Sequence, residues 1–332
     1  MTLFLHGLGH FHPENEVTNA FLEGLDIGTT ETWIEERVGI QSRRTTLPLD
    51  YIRTTRNRDP REAQEATLYT HAEAGRRAAT MALARAGIGP ADVGMVIAGS
   101  SVMDTATPAE ACNIARALGI EAPALDVNSA CTSFFAQLHV LSLMRVEALP
   151  PWVLLVVSEA VTRVVDYTDR SSAVLWGDGS IAAVLSTQVP GRARIVSTSL
   201  ASSPEGADRV VVPRTGHFRQ DGRVVQMFAI RKTAQLLEQL RSAHAEEGRR
   251  FHFVGHQANL RMLESVCRQC RVPEDRHHAN VRSYGNTAGA GAPSVLSMRW
   301  DEWADGDDVA VCGVGAGLTW ASYLLRFEGP AQ

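Results

Sequence analysis

Cys131 is the residue in this chain best placed to act as a nucleophile. It lies in Leu125-Asp126-Val127-Asn128-Ser129-Ala130-Cys131-Thr132-Ser133-Phe134-Phe135. That stretch reads as a short apolar strand, a tight turn of small residues and a helix running on through Leu138, Leu141 and Leu143. A thiol at the start of a helix faces unpaired N–H groups and the positive end of the helix dipole. Both favour the thiolate, the form that attacks and holds an acyl group. A lone cysteine in an apolar run also packs as a small core residue, and the stretch alone leaves both readings open. Two further loops carry partners suited to acyl chemistry: His256 in Val254-Gly255-His256-Gln257-Ala258-Asn259, and Asn286 in Tyr284-Gly285-Asn286-Thr287-Ala288-Gly289. Each also has a plainer reading, as a satisfied loop histidine and a turn asparagine.

The elements that must position these residues recur. A strand ending at Gly99 is matched by one ending at Gly255, Asp126-Val127-Asn128-Ser129 by Asn280-Val281-Arg282-Ser283, and Val153–Val156 by Val309–Cys312, at offsets of 154–156 residues. Strands and helices alternate in both stretches, which predicts an α/β fold of two pseudo-repeated halves, residues 1–190 and 191–332, joined where Pro190-Gly191 breaks the pattern. Sites in such sheets form where strands end and loops begin. Halves packed face to face bring Cys131 from the first together with His256 and Asn286 from the second. The last strand ends in Gly313-Val314-Gly315-Ala316-Gly317-Leu318-Thr319-Trp320, a loop able to aim a backbone N–H at an acyl oxygen.

Around this frame, Thr2–His12 reads as a strand and turn, Thr18–Leu25 and Glu31–Ile40 as helices, the second stopped at Gly39. Residues 41–62 read as an irregular basic loop with Arg43, Arg44, Arg53, Arg56, Arg58 and Arg61, suited to phosphates or an acidic carrier. Glu65–Ala86 reads as one amphipathic helix, and Thr105–Pro108 as the start of the next.

Composition limits the function. A chain with 45% hydrophobic and 21% charged residues is an ordinary globular protein, and a net charge of −5 gives no footprint for nucleic acid. No membrane span and no signal peptide are expected. Five cysteines, an odd and sparse set, suit the cytoplasm. Cys267-Arg268-Gln269-Cys270 lies in a helical pattern without the second pair zinc needs, and no metal is expected at it or at His6, His10 and His12.

The chain resembles the β-ketoacyl-acyl carrier protein synthase III group of the thiolase-like condensing enzymes over nearly its whole length. The resemblance rests on Trp33-Ile34…Arg37-Val38-Gly39-Ile40, Ala130-Cys131, Asp169-Arg170…Trp176-Gly177-Asp178-Gly179, Gly255-His256-Gln257-Ala258-Asn259-Leu260-Arg261, Gly285-Asn286-Thr287 and Gly315-Ala316-Gly317-Leu318-Thr319-Trp320. It implies a five-layered αβαβα fold, a homodimer, and a catalytic triad of Cys131, His256 and Asn286. The backbone N–H groups of Cys131 and Ala316 would form the oxyanion hole. Trp33 and Arg170 would flank the adenine of coenzyme A, with Arg37 at the entrance and Arg261 docking the acyl carrier protein. Coenzyme A or phosphopantetheine thioesters would be substrates, with no resident cofactor. The implied reaction is a Claisen-type condensation of an acyl group on Cys131 with a second, malonyl or β-ketoacyl, thioester.

Thr132-Ser133 replaces the family's usual small residue and Gly, Ala316 replaces a usual Gly, and the basic stretch 45–64 looks like an insertion. These departures suggest a secondary-metabolite synthase similar to those that join two acyl chains in dialkylresorcinol-type pathways. Thr107, at a pocket position contributed across the dimer, implies room for longer acyl groups. Cys-then-His-then-Asn is also the order of papain-like proteases, but those place Trp or Tyr after the cysteine, near a mature N-terminus. Acyl transfer from Cys131 to an oxygen or nitrogen acceptor, and a non-catalytic partner of the carrier protein, are the remaining alternatives.

Overall fold

In the computed structural model, which describes residues 2–328, the strands are β1 (Leu3–Phe11), β2 (Asn15–Thr18), β3 (Ser42–Thr45), β4 (Met95–Gly99), β5 (Ala124–Asp126), β6 (Val153–Glu159), β7 (Gly179–Ser186), β8 (Ala193–Ser202), β9 (Val210–Val211), β10 (Arg219–Gln220), β11 (Arg250–Gly255), β12 (Asp307–Gly315) and β13 (Thr319–Phe327). Nine of them form one mixed sheet in the order β11-β12-β13-β8-β1-β7-β6-β4-β5. Within this sheet the two arms join through Leu3–Leu5 of β1 and Ala193–Ile195 of β8. On either side of that seam the pairing follows the same pattern. β4 runs parallel to β6 as β11 does to β12, and β6–β7 and β12–β13 are antiparallel. β5 has no strand opposite it in the second arm. There a single bridge joins Phe253 to His277, and Asn280–Ser283, expected to repeat the strand–loop unit, turns into a short helix. The Gln257 side chain explains the change: its Oε1 accepts the N–H groups of both Asn280 and Val281, at 3.0 and 3.1 Å, and draws them away from a ladder.

The helices are α1 (Asn19–Glu23), α2 (Glu31–Val38), α3 (Leu49–Thr55), α4 (Pro60–Ala66), α5 (His71–Ala86), α6 (Glu110–Leu118), α7 (Ser133–Leu143), α8 (Arg170–Ala173), α9 (Gly222–His244), α10 (Leu260–Cys270), α11 (Val281–Tyr284) and α12 (Gly291–Met298). They complete a five-layered αβαβα sandwich. α5 and α6 cover the outer face of the first arm, α9 covers that of the second with α10 packed against it, and α7 and α12 lie between the arms, touching strands of both. The sequence of α7 explains its place. Phe134, Phe135, Leu138 and Leu141 leave its first turns without a polar face, and residues 133–138 are buried. Gln137 donates to the Val156 carbonyl, and His139 pairs with the Thr198 hydroxyl. No described helix is long and apolar enough to cross a membrane.

Three expectations about local structure are corrected. Residues 41–62 are ordered as β3, α3 and the start of α4. Arg43 is fully buried and donates to the Val174 carbonyl and Asn19, while the exposed Arg53 and Arg61 pair locally with Asp50 and Asp59. The helix expected from Glu65 begins at His71, because the Thr70 hydroxyl accepts the N–H of Glu73 and caps it. α6 starts at Glu110, beyond Pro108, where the Asp126 carboxylate accepts the N–H groups of Glu110 and Ala111.

α5 sits directly on the backbone of β1. A Cβ at Gly9 would lie 2.1 Å from the Ala78 carbonyl oxygen, and one at Gly7 2.2 Å from that of Ala82. The close approach brings α5 down onto the sheet, where Ala78, Ala79 and Ala82 are fully buried. Gly9→Ala is expected to force the two apart and lower the free energy of unfolding by about 1–3 kcal/mol, read from the denaturation midpoint. An unchanged midpoint would contradict the packing described.

Candidate active site

The site is built at the end of β5 and the start of α7. Cys131 lies in a single 3-10 turn, Ala130–Thr132, that leads into α7. The turn is closed by Asn128, whose Oδ1 accepts the Ala130 N–H at 2.9 Å while Ala130 adopts φ +48°. The same device recurs in the second arm. Asn286 Oδ1 accepts the Ala288 N–H at 3.0 Å, and Ala288 adopts φ +46°, ahead of α12. Cys131 and Gly289 are therefore equivalent positions in the two arms. With its Oδ1 so committed, Asn286 keeps its NH₂ as the free donor. Its backbone is bridged to the segment before β7, its N–H to the Leu175 carbonyl at 2.8 Å and its carbonyl to the Gly177 N–H at 3.0 Å. The Asp178 carboxylate fixes that neighbourhood, taking the N–H and hydroxyl groups of both Thr46 and Thr162. His256 follows β11, its N–H on the Cys312 carbonyl at 2.8 Å.

The structure brings Cys131, His256 and Asn286 to the floor of one cavity of about 680 Å³, whose wall also includes Trp33, Arg37, Arg170 and Ala316. Arg170 lies over the Trp33 ring at 4.9 Å and donates to the Gly28 carbonyl. A second cavity of about 360 Å³ reaches Cys131 from the other side, past Ser101, Val161, Val212 and Phe218, and shares Ala316 with the first. The glycine loop is pressed against the nucleophile turn: a Cβ at Gly315 would lie 3.4 Å from the Cys131 nitrogen. Thr132 ties the two together, its hydroxyl 2.8 Å from that of Thr319. Two of the expected binding residues lie elsewhere. Arg261 donates to the Glu35 and Glu36 carbonyls at the end of α2 and pairs with Glu264, and Thr107 is exposed on the loop before α6, outside both cavities of this chain.

Burial dominates the electrostatics. His256, 4% exposed, is pushed down to about 4 and is neutral at pH 7. Burial, and then the charge of Glu159, push the Cys131 thiol up to about 12. A helix N-terminus is worth up to about 2 kcal/mol, roughly 1.5 pKa units, so the dipole of α7 does not make a resting thiolate at neutral pH. This corrects the simple expectation from the helix start.

Residues that sequence reasoning passed over include Asn128, Thr319 and Glu159. Asn128 was signalled by the match of Asn128-Ser129-Ala130-Cys131 to Asn286-Thr287-Ala288-Gly289. Glu159 was signalled only as a lone carboxylate ending an apolar strand. Outside the site, His71, Asp104 and Glu110 cluster closely enough to suggest a metal. The Arg163 guanidinium already fills the cationic role there, 2.6 Å from Asp104 and 3.0 Å from His71.

Alkylation of Cys131 by iodoacetamide is expected to keep rising from pH 6 to pH 10, because the thiolate fraction is still growing there. A plateau reached by pH 8, read from the pseudo-first-order rates, would show a thiol far more acidic than this burial allows.

Residues 125–204 match the family described as 3-oxoacyl-acyl-carrier-protein (ACP) synthase III, and residues 242–327 its C-terminal counterpart. The chain is 30% identical to a β-ketoacyl-(acyl carrier protein) synthase III of Oceanobacillus iheyensis, covering 98% of this chain and 99% of that one. It is 32% identical to one from Cereibacter sphaeroides, over 97% and 98%. Among solved structures, the 3-oxoacyl-(acyl carrier protein) synthase III of Aquifex aeolicus superposes with a TM-score of 0.86 at 26% identity, over 98% and 100%. A priming β-ketosynthase of a polyketide pathway superposes with a TM-score of 0.82 at 30% identity, over 99% and 97%.

Proposed function

The chain belongs to the 3-oxoacyl-(acyl carrier protein) synthase III family of condensing acyltransferases, and we propose that Cys131 is the station on which it holds an acyl group between two half-reactions. The convergence of Cys131, His256 and Asn286 on one cavity floor carries this reading. In the first half-reaction the Cys131 sulfur attacks a thioester carbonyl, and its proton ends on the thiol carrier that departs. The backbone N–H groups of Cys131 and Ala316 hold the oxyanion, which collapses to expel the thiol carrier and leave an acyl-cysteine. In the second, a malonyl thioester loses CO₂, or a β-ketoacyl thioester a proton. The resulting enolate oxygen takes hydrogen bonds from His256 and the Asn286 amide. Its carbon attacks the acyl-cysteine, forming the carbon–carbon bond and releasing the Cys131 sulfur. Neutral His256 suits this donor role, since it adds no charge that must be desolvated.

The larger cavity takes the pantetheine arm of coenzyme A or of the acyl carrier protein. An adenine would enter between Trp33 and Arg170 by displacing their present contact, with Arg37 at the mouth. Arg261, beside the end of α2, meets the acidic carrier. The reading assigns coenzyme A and carrier thioesters as substrates and no resident cofactor. It also assigns a homodimer that places Thr107 of one copy at the acyl pocket of the other, and a role in a specialised pathway rather than housekeeping fatty-acid initiation. Five unpaired cysteines are consistent with work in the cytoplasm.

Incubation with a panel of acyl thioesters, followed by intact-mass measurement, is expected to give one acyl adduct, absent from Cys131→Ala. His256→Ala should keep that adduct and lose condensation by about 10²- to 10³-fold. Condensation at the wild-type rate in His256→Ala would refute the assignment. Thr107→Phe is expected to shift the adduct profile toward short chains, and a long-chain rate equal to wild type would remove Thr107 from the pocket.

A further inference from the structure

Glu159 is buried beside the reacting groups, and neither half-reaction uses it. It ends β6 with 2% of its surface exposed. Its Oε2 accepts the Ser101 N–H at 2.8 Å, and its Oε1 accepts the Ser101 hydroxyl at 3.0 Å and the Gly289 N–H at 3.2 Å. The Ser100 hydroxyl lies at 3.5 Å. Gly289 fills the gap between this carboxyl and the nucleophile turn. A Cβ there would sit 3.0 Å from Glu159 Oε1 and 3.1 Å from the Ala130 carbonyl oxygen. One carboxyl thus joins three parts of the site: the turn that follows Asn286, the Ser101 wall of the smaller cavity, and, across Gly289, the backbone just before Cys131.

We propose that Glu159 is a positioning residue of this site. Its carboxyl locks the Gly289 turn and the Ser101 wall against the nucleophile turn, and its charge controls how readily Cys131 gives up its proton. The groups facing it from the packed elements are the Ser100 and Ser101 hydroxyls and the Ser101 and Gly289 N–H groups, and the Cys131 turn lies beyond Gly289. Across the sheet its neighbour on β7 is Gly179, which has no side chain. Burial outweighs the donors and pushes the carboxyl up to about 7. Its ionised form in turn raises Cys131. The sign follows. Below pH 6 the carboxyl is neutral and leaves the thiol alone. Above pH 8 it is ionised and opposes the thiolate. The site holds its loops with a group that restrains its own nucleophile as pH rises.

This inference rests on Cys131 as the reacting thiol, but the test of its electrostatic half needs no substrate. The rate of Cys131 alkylation by iodoacetamide is compared between wild type and Glu159→Gln from pH 5.5 to pH 9. The variant-to-wild-type ratio is expected near 1 at the acid end and roughly 3- to 10-fold above pH 8. A ratio that does not change with pH overturns the electrostatic half. Glu159→Asp keeps the charge but shortens the reach to Gly289. It should alkylate with the wild-type pH dependence while kcat for condensation falls at least about 10-fold at an unchanged KM. A wild-type kcat in Glu159→Asp overturns the positioning half. Failure to find an acyl adduct on wild-type Cys131 would sink the proposed function and leave the alkylation result standing.

Discussion

The site depends on one local constraint: an asparagine side chain closing a turn on an alanine held at positive φ. Asn128 does this for Ala130, and Asn286 does it for Ala288. An L-residue in that region is disfavoured, and the Asx hydrogen bond offsets part of the cost. In the first arm the turn puts Cys131 at the head of α7. In the second it uses up the oxygen of Asn286 and leaves its NH₂ toward the cavity. Under the proposed function the repeat is divided between two jobs, one copy supplying the nucleophile and the other a donor.

Everything else in the fold keeps those two turns in register. α7 and α12 lie between arms whose strands pair along a short seam at β1 and β8. Gln137 donates to the Val156 carbonyl and Ser294 to the Gly291 carbonyl. The Asn286 backbone is tied to Leu175 and Gly177, and the buried Asp178 organises the threonines next to that segment. The Thr132–Thr319 hydroxyl pair holds the glycine loop on the nucleophile turn. In this chain Thr132 therefore has a structural partner.

Much of this could be read from the sequence, for identifiable reasons. Strands carrying runs such as Val153–Val157 and Val309–Cys312 are apolar on both faces because both faces are covered. Their shared offset survives because the arms pair in nearly the same register. Cys131 and His256 were legible because each sits where a strand gives way to a loop, and Asn286 because its loop, residues 285–289, is built of the same small residues, although a short helix and not a strand precedes it. The stretch from 41 to 62 was misread because its arginines look like a solvated surface, while Arg43 is fully buried. Periodicity alone gave no sign that Asn19 and the Val174 carbonyl would satisfy it. Glu159 was not legible because its significance lies in Ser101 and Gly289, which are distant in sequence.

Desolvation explains why the site needs so much support. Placing Cys131 and His256 out of water strengthens every hydrogen bond to a developing oxyanion or enolate. The same burial works against the starting state, lifting the thiol to about 12 and keeping the imidazole neutral. An exposed cysteine would ionise more easily but would lack fixed donors for the oxyanion. The structure favours the transition states over a ready thiolate. A buried carboxylate close to the nucleophile turn is tolerable under that arrangement, because the Gly289 turn it fixes directly follows the donor Asn286.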